Sequence, residues 1–506
     1  MIMISAFLED AARFQTIPII RRFFADVLNP LQIFENLQEE AVFLLESKDE
    51  QSPWSRYSFI GLSPFMTIEN IDGTLFSVVS NKGEIIVKTT TLQEAFLFVK
   101  NELNIKPVES DIPFTGGAVG FLSYDMISTI EKVQRHANDD LMLKKAQFLF
   151  CESLIAFDHM KRELIIFHYV RLSPHDRKQT IIKKYNKAMQ KVNELMQKIV
   201  QGSTQPILPM FNEEQDVKGM FSKAASTYTK EDFIRAVEKV KNYIASGDIF
   251  QAVLSQRFTI PIAINGFQLY RVLRHVNPSP YMFYIRTDGF EIVGSSPEKL
   301  IQVQNRHIEI HPIAGTRRRG MTEEEDCYFA DELMNDPKEQ AEHYMLVDLA
   351  RNDIGRVAKY GTVKTPVLME IGKFSHVMHL ISKVTGELRE DVHPIAALLA
   401  AFPAGTVSGA PKVRAMQIIN ELEPTARNVY AGAVAYLGFD GNIDSCIAIR
   451  TAIIKDGYAY IQAGAGIVAD SVPELEWKET HNKASAVIKA IILAERLFQQ
   501  KGEAYV

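Results

Sequence analysis

The sequence predicts an α+β protein, with large antiparallel β-sheets packed face to face and helices outside. Three observations carry this. Strand-like runs are joined by tight turns at Asp72-Gly73, Asp288-Gly289, Asp440-Gly441 and Asp456-Gly457, and such turns link antiparallel neighbours. Helical periodicity is confined to separate stretches, such as residues 229–247. The meander near the C-terminus lacks the strand–helix–strand alternation of a doubly wound fold.

Residues 1–125 read mainly as strands and turns. Asp72-Gly73 separates Phe65-Met66-Thr67-Ile68 from Leu75-Phe76-Ser77-Val78-Val79, and Lys82-Gly83 leads into Ile85-Ile86-Val87. Glycine supplies the positive φ these turns need. Gly116-Gly117, ahead of Ala118-Val119-Gly120-Phe121-Leu122, predicts close backbone approach. Residues 174–205 are charged and helical, closed by Gly202. The polar stretch 203–228 reads as a linker between an N-terminal region, 1–202, and a second domain, 229–506. That domain opens with a helix. Thr229 and Asp232 form a capping pair, Phe233, Val237, Val240 and Ile244 make one apolar stripe, and Gly247 stops it. A strand is expected over 251–260. Met282-Phe283-Tyr284-Ile285 then turns at Asp288-Gly289 into Phe290-Glu291-Ile292-Val293, and three strands follow at 433–437, 446–454 and 458–463.

Lys plus Arg number 56 against 62 Asp plus Glu, a formal charge of -6. A nucleic-acid surface needs basic excess, so no nucleic acid is expected. The cluster Arg317-Arg318-Arg319 is followed by Glu323-Glu324-Glu325-Asp326 and reads as a solvated, self-compensated loop. Cys151, Cys327 and Cys446 form no CxxC pair, which argues against a thiolate zinc site and a disulfide framework. The longest apolar stretch, 395–402, is far short of the ~20 residues that span a bilayer. The N-terminus meets Glu9 and Asp10 without a basic region. A cytoplasmic protein without membrane contact is expected.

Glu476 and Glu479 stand three apart on the last helix, with Lys483 four further on, so all three share a face. Ser471, Pro473 and Glu474 mark the start of that helix. The two acids are either a solvated face with a Glu479–Lys483 pair or oxygen ligands for a hard divalent cation such as Mg2+. Glu342 shares a stripe with Leu346 and Leu349 in a helix over 337–358; it is either an acid facing the core or a wet edge residue. Gly464-Ala465-Gly466-Ile467-Val468-Ala469 has the letters of a dinucleotide fingerprint but lies in a hairpin meander, which argues against that use. Glycines ahead of a helix still offer backbone N–H groups to an anion. Gly405-Thr406-Val407-Ser408-Gly409-Ala410-Pro411 repeats this logic, with plain N-capping by Ser408 as the alternative. His379, in Ser375-His376-Val377-Met378-His379-Leu380, is either structural or catalytic. Unaided, the residues point to an enzyme using a divalent cation and an anionic small substrate.

These segments, in this order, resemble the chorismate-utilising enzymes, most closely their anthranilate-forming branch. GDIFQAVLSQRF (247–258), VGSSPE (293–298), HPIAGTRRRG (311–320), EHYMLVDLARNDIGRV (342–357), FPAGTVSGAPKVRAM (402–416), QAGAGIVADS (462–471) and EWKETHNKA (476–484) carry the resemblance. LLES (44–47) and GGAVGFLSYD (116–125) extend it into the N-terminal part. The resemblance implies a Mg2+ ion held by Glu342, Glu476 and Glu479 that receives the ring carboxylate of chorismate. For the enolpyruvyl carboxylate it implies Arg450, Tyr430, the backbone of Gly464, Ala465 and Gly466, and Lys483, with Gly315 and Thr316 lining the same pocket.

Gln251 stands where water-activating relatives carry a Lys, and a neutral Gln cannot act as that base. Ala314 stands where aminodeoxychorismate-forming relatives carry a nucleophilic Lys. Direct addition of ammonia followed by loss of pyruvate is therefore expected, with Glu298 as general acid for the leaving hydroxyl and His379 and Thr406 assisting. The resemblance also implies tryptophan as inhibitor, bound between Ser47 and the run Asn277, Pro278, Ser279, Pro280, Tyr281, Met282. No cysteine here has the Gly-x-Cys-x-Gly setting of an amidotransferase nucleophile, so a separate glutamine amidotransferase subunit, in a heterotetramer, is expected. The alternatives are aminodeoxychorismate formation and a non-catalytic sensor of tryptophan or chorismate.

Overall fold

Alternate residues of a strand point to opposite faces, and that rule sorts the core of the computed structural model, which describes residues 4–48, 56–202, 219–373 and 377–499. Phe43, Phe59, Phe283 and Ile285 enter one buried cluster with Phe121, Phe167, Val434 and Tyr436. Their neighbours Leu44, Ile60, Met282 and Tyr284 enter a second. This second cluster also takes the apolar faces of helices Gly266–Val276 and Pro473–Gln499. The first cluster therefore lies between sheet faces, and the second between sheet and outer helices. The fold is the α+β architecture expected, and its strand ladders are antiparallel.

Strands from the two ends of the chain are interleaved. Ala41–Glu46 pairs with Tyr281–Arg286, and Gly117–Leu122 with Ala433–Gly438. Of the stretch expected as a linker, 203–218 lies outside the described residues; the rest holds a short turn, Met220–Lys223, and the strand Ala225–Ser226. No helix among the described residues is long and apolar enough to cross a membrane.

The local signals mostly hold. Gly73, Gly83, Gly289, Gly441 and Gly457 all turn with φ between 77° and 96°. A Cβ at Gly120 would overlap the Gln147 carbonyl, which is the close approach expected. Helix Lys178–Ile199 buries Tyr185, Ala188, Val192, Leu195 and Ile199 as one stripe. Helix Lys230–Ala245 is capped by Thr229, whose hydroxyl accepts from the Asp232 N–H at 3.1 Å and donates to Asp232 Oδ2 at 2.7 Å.

Three expectations need correction. Residues 446–454 are not one strand: Ile443–Ile447 and Thr451–Lys455 are separated at Arg450, which has φ 51°. The first piece pairs with Ala433–Gly438 and Lys299–Gln304, the second with Glu291–Ser296 and Tyr458–Ile467, and the change of partners requires the break. The strand expected over 458–463 runs on to Ile467, through the glycines. Arg317 and Arg318 end a strand, Ile313–Arg318, instead of forming a loop. Their charges are still compensated locally, Arg317 by Glu332, Asp336 and Glu339, and Arg319 by Asp326.

Candidate active site

Glu298 lies between strands Glu291–Ser296 and Lys299–Gln304. Its N–H donates to Ser296 Oγ at 3.3 Å, and its carbonyl accepts from Ile447 N–H at 3.1 Å, so its backbone is held from two strands. The side chain keeps some accessible surface yet lies deep in the protein. Desolvation pushes its pKa up to about 7, against smaller downward pulls from Thr406 and Lys483. Thr406 sits beside it on the turn Gly405–Val407, with a buried hydroxyl that makes no fully formed hydrogen bond among the described residues. Gly405 brings this turn against helix Pro337–Gly355, where a Cβ would lie 2.6 Å from Leu349 Cδ1.

His379 stands on strand Val377–Glu387; residues 374–376, just before it, lie outside the described residues. Its Nδ1 donates to the Gly315 carbonyl at 2.7 Å and lies 3.2 Å from Thr316 Oγ1. A carbonyl only accepts, so the ring proton is on Nδ1. Burial lowers the ring's pKa, the Gly315 bond resists, and Arg450 lowers it further, which keeps the imidazole neutral.

Arg450 projects from the strand break. Among the described residues no carboxylate pairs with it; burial lowers its pKa, and Tyr430 is the group that opposes the shift. The Tyr430 phenol is itself pushed up to about 12 by burial. Its hydroxyl overhangs Gly464, where a Cβ would lie 2.8 Å from Oη. At Gly466 a Cβ would lie 2.7 Å from Gln251 Nε2. These glycines are not a loop ahead of a helix: they pair with Ser255 and Val253 of strand Gln251–Pro261. Absent side chains bring Tyr430 and Gln251 onto the sheet surface. Ala465, between them, is fully buried on the other face. Lys483 Nζ donates to the Gly464 carbonyl at 3.0 Å and pairs with Glu479 Oε1 at 2.6 Å.

Glu342 and Glu476 are half-buried, and both have raised pKa values. Desolvation is the main cause for each; Glu479 adds repulsion to both, and Glu476 also acts on Glu342. The three acids therefore share one electrostatic neighbourhood. They do not converge as they stand into a ready three-ligand cluster among the described residues. Glu342 is not on the core face of its helix, which is made by His343, Val347, Ala350 and Ile354; with Leu346 and Leu349 it lies on the half-buried flank.

The cap expected at Ser471 and the capping alternative for Ser408 both fail. The Ser471 hydroxyl accepts from Val468 N–H at 3.1 Å and bonds Glu476, while its helix starts at Pro473. Ser408 donates to the Ala404 carbonyl at 2.8 Å, and helix Lys412–Leu422 starts behind Pro411 without a side-chain cap. Each serine hydroxyl bonds the backbone of the preceding loop instead of the first turn of its helix.

The expected residues thus form one connected set: Gly315 and Thr316 to His379, His379 to Arg450, Arg450 to Tyr430, Tyr430 to Gly464, Gly464 to Lys483, and Lys483 to both Glu479 and Glu298. The sequence reading missed Glu423 and Arg427, an ion pair behind Tyr430 whose side chains are each 2% exposed. Their i, i+4 spacing was the available signal, but Pro424 between them ends the helical reading.

A separate, partly open cavity is bounded by Glu46, Ser47, Pro280, Tyr281, Met282 and Asp444, among others. Ser47 Oγ is buried there without a hydrogen-bond partner among the described residues, and Tyr281 Oη donates to Asp444 Oδ1 at 3.1 Å. Three of the residues expected here are not in its lining. Asn277 Nδ2 donates to Ser295 Oγ at 2.7 Å, Pro278 faces solvent, and the Ser279 carbonyl accepts from Lys48 N–H at 3.1 Å.

The family model of chorismate binding enzymes matches residues 40–489. Anthranilate synthase component 1 of Geobacillus stearothermophilus is 66% identical over 501 residues, covering 99% of this chain and 98% of that protein. Its Bacillus subtilis counterpart is 51% identical over 499 residues, covering 98% and 96%. The crystal structure of anthranilate synthase component I from Streptococcus pneumoniae superposes with a TM-score of 0.71 at 35% identity, covering 92% of this chain and 99% of that one. The menaquinone-specific isochorismate synthase of Escherichia coli shares the fold, with a TM-score of 0.68 at 19% identity over 96% of this chain and 99% of that one. Fold, motifs and near full-length identity agree: this chain belongs to the chorismate-binding enzyme family.

Proposed function

We propose that this chain aminates chorismate, converting chorismate and ammonia to anthranilate, pyruvate and water, in the first step of tryptophan biosynthesis. The observation that carries this reading is Arg450. A mostly buried guanidinium without a carboxylate partner among the described residues, in the electrostatic range of the Tyr430 phenol, whose hydroxyl overhangs Gly464, is suited to receive an anion. Arg450 and Tyr430 hold the enolpyruvyl carboxylate there, with Lys483 nearby. Gln251, beside Gly466, and Ala314, opposite Leu380, supply neither a base for water nor a nucleophilic amine. This favours ammonia as the attacking group, as in the anthranilate synthases to which the chain is similar.

The residues then divide the work. Ammonia adds at carbon 2 of the ring while the ring hydroxyl departs as water, protonated by Glu298. A carboxyl group with a pKa of about 7 is protonated often enough to serve as that acid. Neutral His379, fixed by Gly315, and Thr406 position the ring for loss of pyruvate, which makes it aromatic. Glu342, Glu476 and Glu479 crowd like charges into one neighbourhood, and they are the residues that would hold a divalent cation, for which we propose Mg2+, relieving that repulsion as it drew them together. When bound, it supplies positive charge for the ring carboxylate. Ammonia is drawn from glutamine by a partner amidotransferase subunit. Tryptophan inhibits from the cavity at Ser47, Pro280, Tyr281 and Met282.

The decisive experiment incubates the purified chain with chorismate, Mg2+ and excess ammonium and identifies the product by mass and fluorescence. Anthranilate with equimolar pyruvate is expected, and chelation of Mg2+ should abolish it. Aminodeoxychorismate without pyruvate would instead establish the folate-branch chemistry. For regulation, Ser47→Ala should raise the tryptophan concentration giving half-inhibition by several-fold, with kcat unchanged. Unaltered inhibition in that variant would remove Ser47 from the effector site.

A further inference from the structure

The buried pair Glu423–Arg427 lies behind the pocket assigned above to the enolpyruvyl carboxylate and touches Tyr430, the strand paired with Gly464 and Gly466, and the Thr406 turn. Arg427 Nη2 donates to the Val253 carbonyl at 2.6 Å and Nη1 to the Val407 carbonyl at 2.7 Å. Its Nε and Nη2 meet the two Glu423 oxygens at 2.8 and 2.6 Å. Glu423 Oε1 also accepts from the Ser255 N–H at 2.8 Å and the Ser255 hydroxyl at 2.7 Å. Val253 and Ser255 are the register partners of Gly466 and Gly464, and Val407 follows Thr406. The guanidinium is also flanked by two aromatic rings, with Cζ 5.5 Å from the centre of Tyr430 and 4.6 Å from that of Tyr124. Tyr124 belongs to the N-terminal part of the chain.

No other described ion pair has both side chains so completely enclosed. Such a pair is weak evidence for stability, because desolvating two charges offsets most of their attraction. What it supplies is direction: a planar fork with fixed donor angles sets the relative position of everything it bonds. We infer that Glu423 and Arg427 are positioning residues, which fix Tyr430, the Gly464–Gly466 backbone and the Thr406 turn as one rigid cradle for the substrate's carboxylate. The inference rests on the reading of that pocket given above.

Removing one partner strands a buried charge and confuses positioning with folding, so the informative variant is the double, Glu423→Leu with Arg427→Met. Replacement of a buried pair by apolar residues of similar volume is often neutral or stabilising. The expected result is a cooperatively folded protein whose urea midpoint lies below that of the parent, because the Val253 and Val407 carbonyls and the Ser255 N–H each lose a partner, together with a chorismate KM raised about tenfold or more and an unchanged KM for ammonia. A chorismate KM within twofold of the parent, with the fold intact, overturns the inference. Should the double variant not fold, Arg427→Lys retains charge and stem but loses the fork; it is expected to raise the chorismate KM in the same way, and an unchanged KM again overturns the inference. Tyr430→Phe, assayed in parallel, separates the two levels. If it leaves the chorismate KM unchanged, the pocket reading fails and takes the inference with it. If it raises that KM and the pair variants do not, only the positioning role fails.

Discussion

Glu298→Gln is expected to lower kcat by roughly 10²–10⁴-fold, the contribution of a positioned general acid, while leaving the chorismate KM within a few-fold of the parent. Gln keeps the volume and a hydrogen-bonding end but has no proton to give to a departing hydroxyl. The pH profile makes the assignment specific. The Glu298 carboxyl titrates at about 7, raised by desolvation, so its acid form prevails below that pH and is lost above it. With kcat/KM for chorismate measured at a constant concentration of uncharged ammonia, the parent should fall about tenfold per pH unit on the alkaline side. The variant should be flat over the same range. An alkaline limb that survives in Glu298→Gln would assign the titrating acid to another residue.

Arg450→Gly is expected to separate binding from stability. Loss of the guanidinium removes charge-assisted hydrogen bonds worth about 1.5–3 kcal/mol, which raises the chorismate KM by roughly 10–150-fold. Folding should not suffer. Arg450 has φ 51°, a region that costs a non-glycine residue roughly 1–2 kcal/mol and a glycine almost nothing. Its mostly buried charge also has no carboxylate to offset it among the described residues. The urea midpoint of the variant should therefore equal or exceed that of the parent, the pattern of a site residue kept for function at the expense of stability. A variant with a lower midpoint and a normal KM would make Arg450 a structural residue.

What the sequence disclosed follows from how local each signal is. The turns at Gly73, Gly289 and Gly441 and the Thr229 cap depend on two to four adjacent residues, and they form as expected. The antiparallel class follows from those turns. Register between distant strands has no such local mark. Gly464 and Gly466 resemble a loop because glycine carries no pattern, and only pairing with Val253 and Ser255, some 200 residues away, makes them a strand. The break at Arg450 was hidden because an arginine occupies a position where a glycine would have announced it. Glu423 and Arg427 escaped because Pro424 interrupts the helix that would have linked them. The family motifs named the site residues without that geometry. Their meeting in one connected set required the strand register, and so did the finding that Asn277, Pro278 and Ser279 stand outside the second cavity.

The interleaving of the sheets has a consequence for how the chain comes off the ribosome. Strand Gly117–Leu122 is complete early in synthesis, yet its partner Ala433–Gly438 emerges about 310 residues later. At ~5–20 residues per second that is a wait of roughly 15–60 s. During it, Gly117–Leu122 presents an open edge made of Ala118, Val119, Phe121 and Leu122, all of which are buried in the finished protein. Such an edge readily pairs with whatever strand arrives first. Until Ala433–Gly438 arrives, near the end of the 506-residue chain, that edge lacks its partner, and a chain stopped short of residue 433 lacks the strand that covers it.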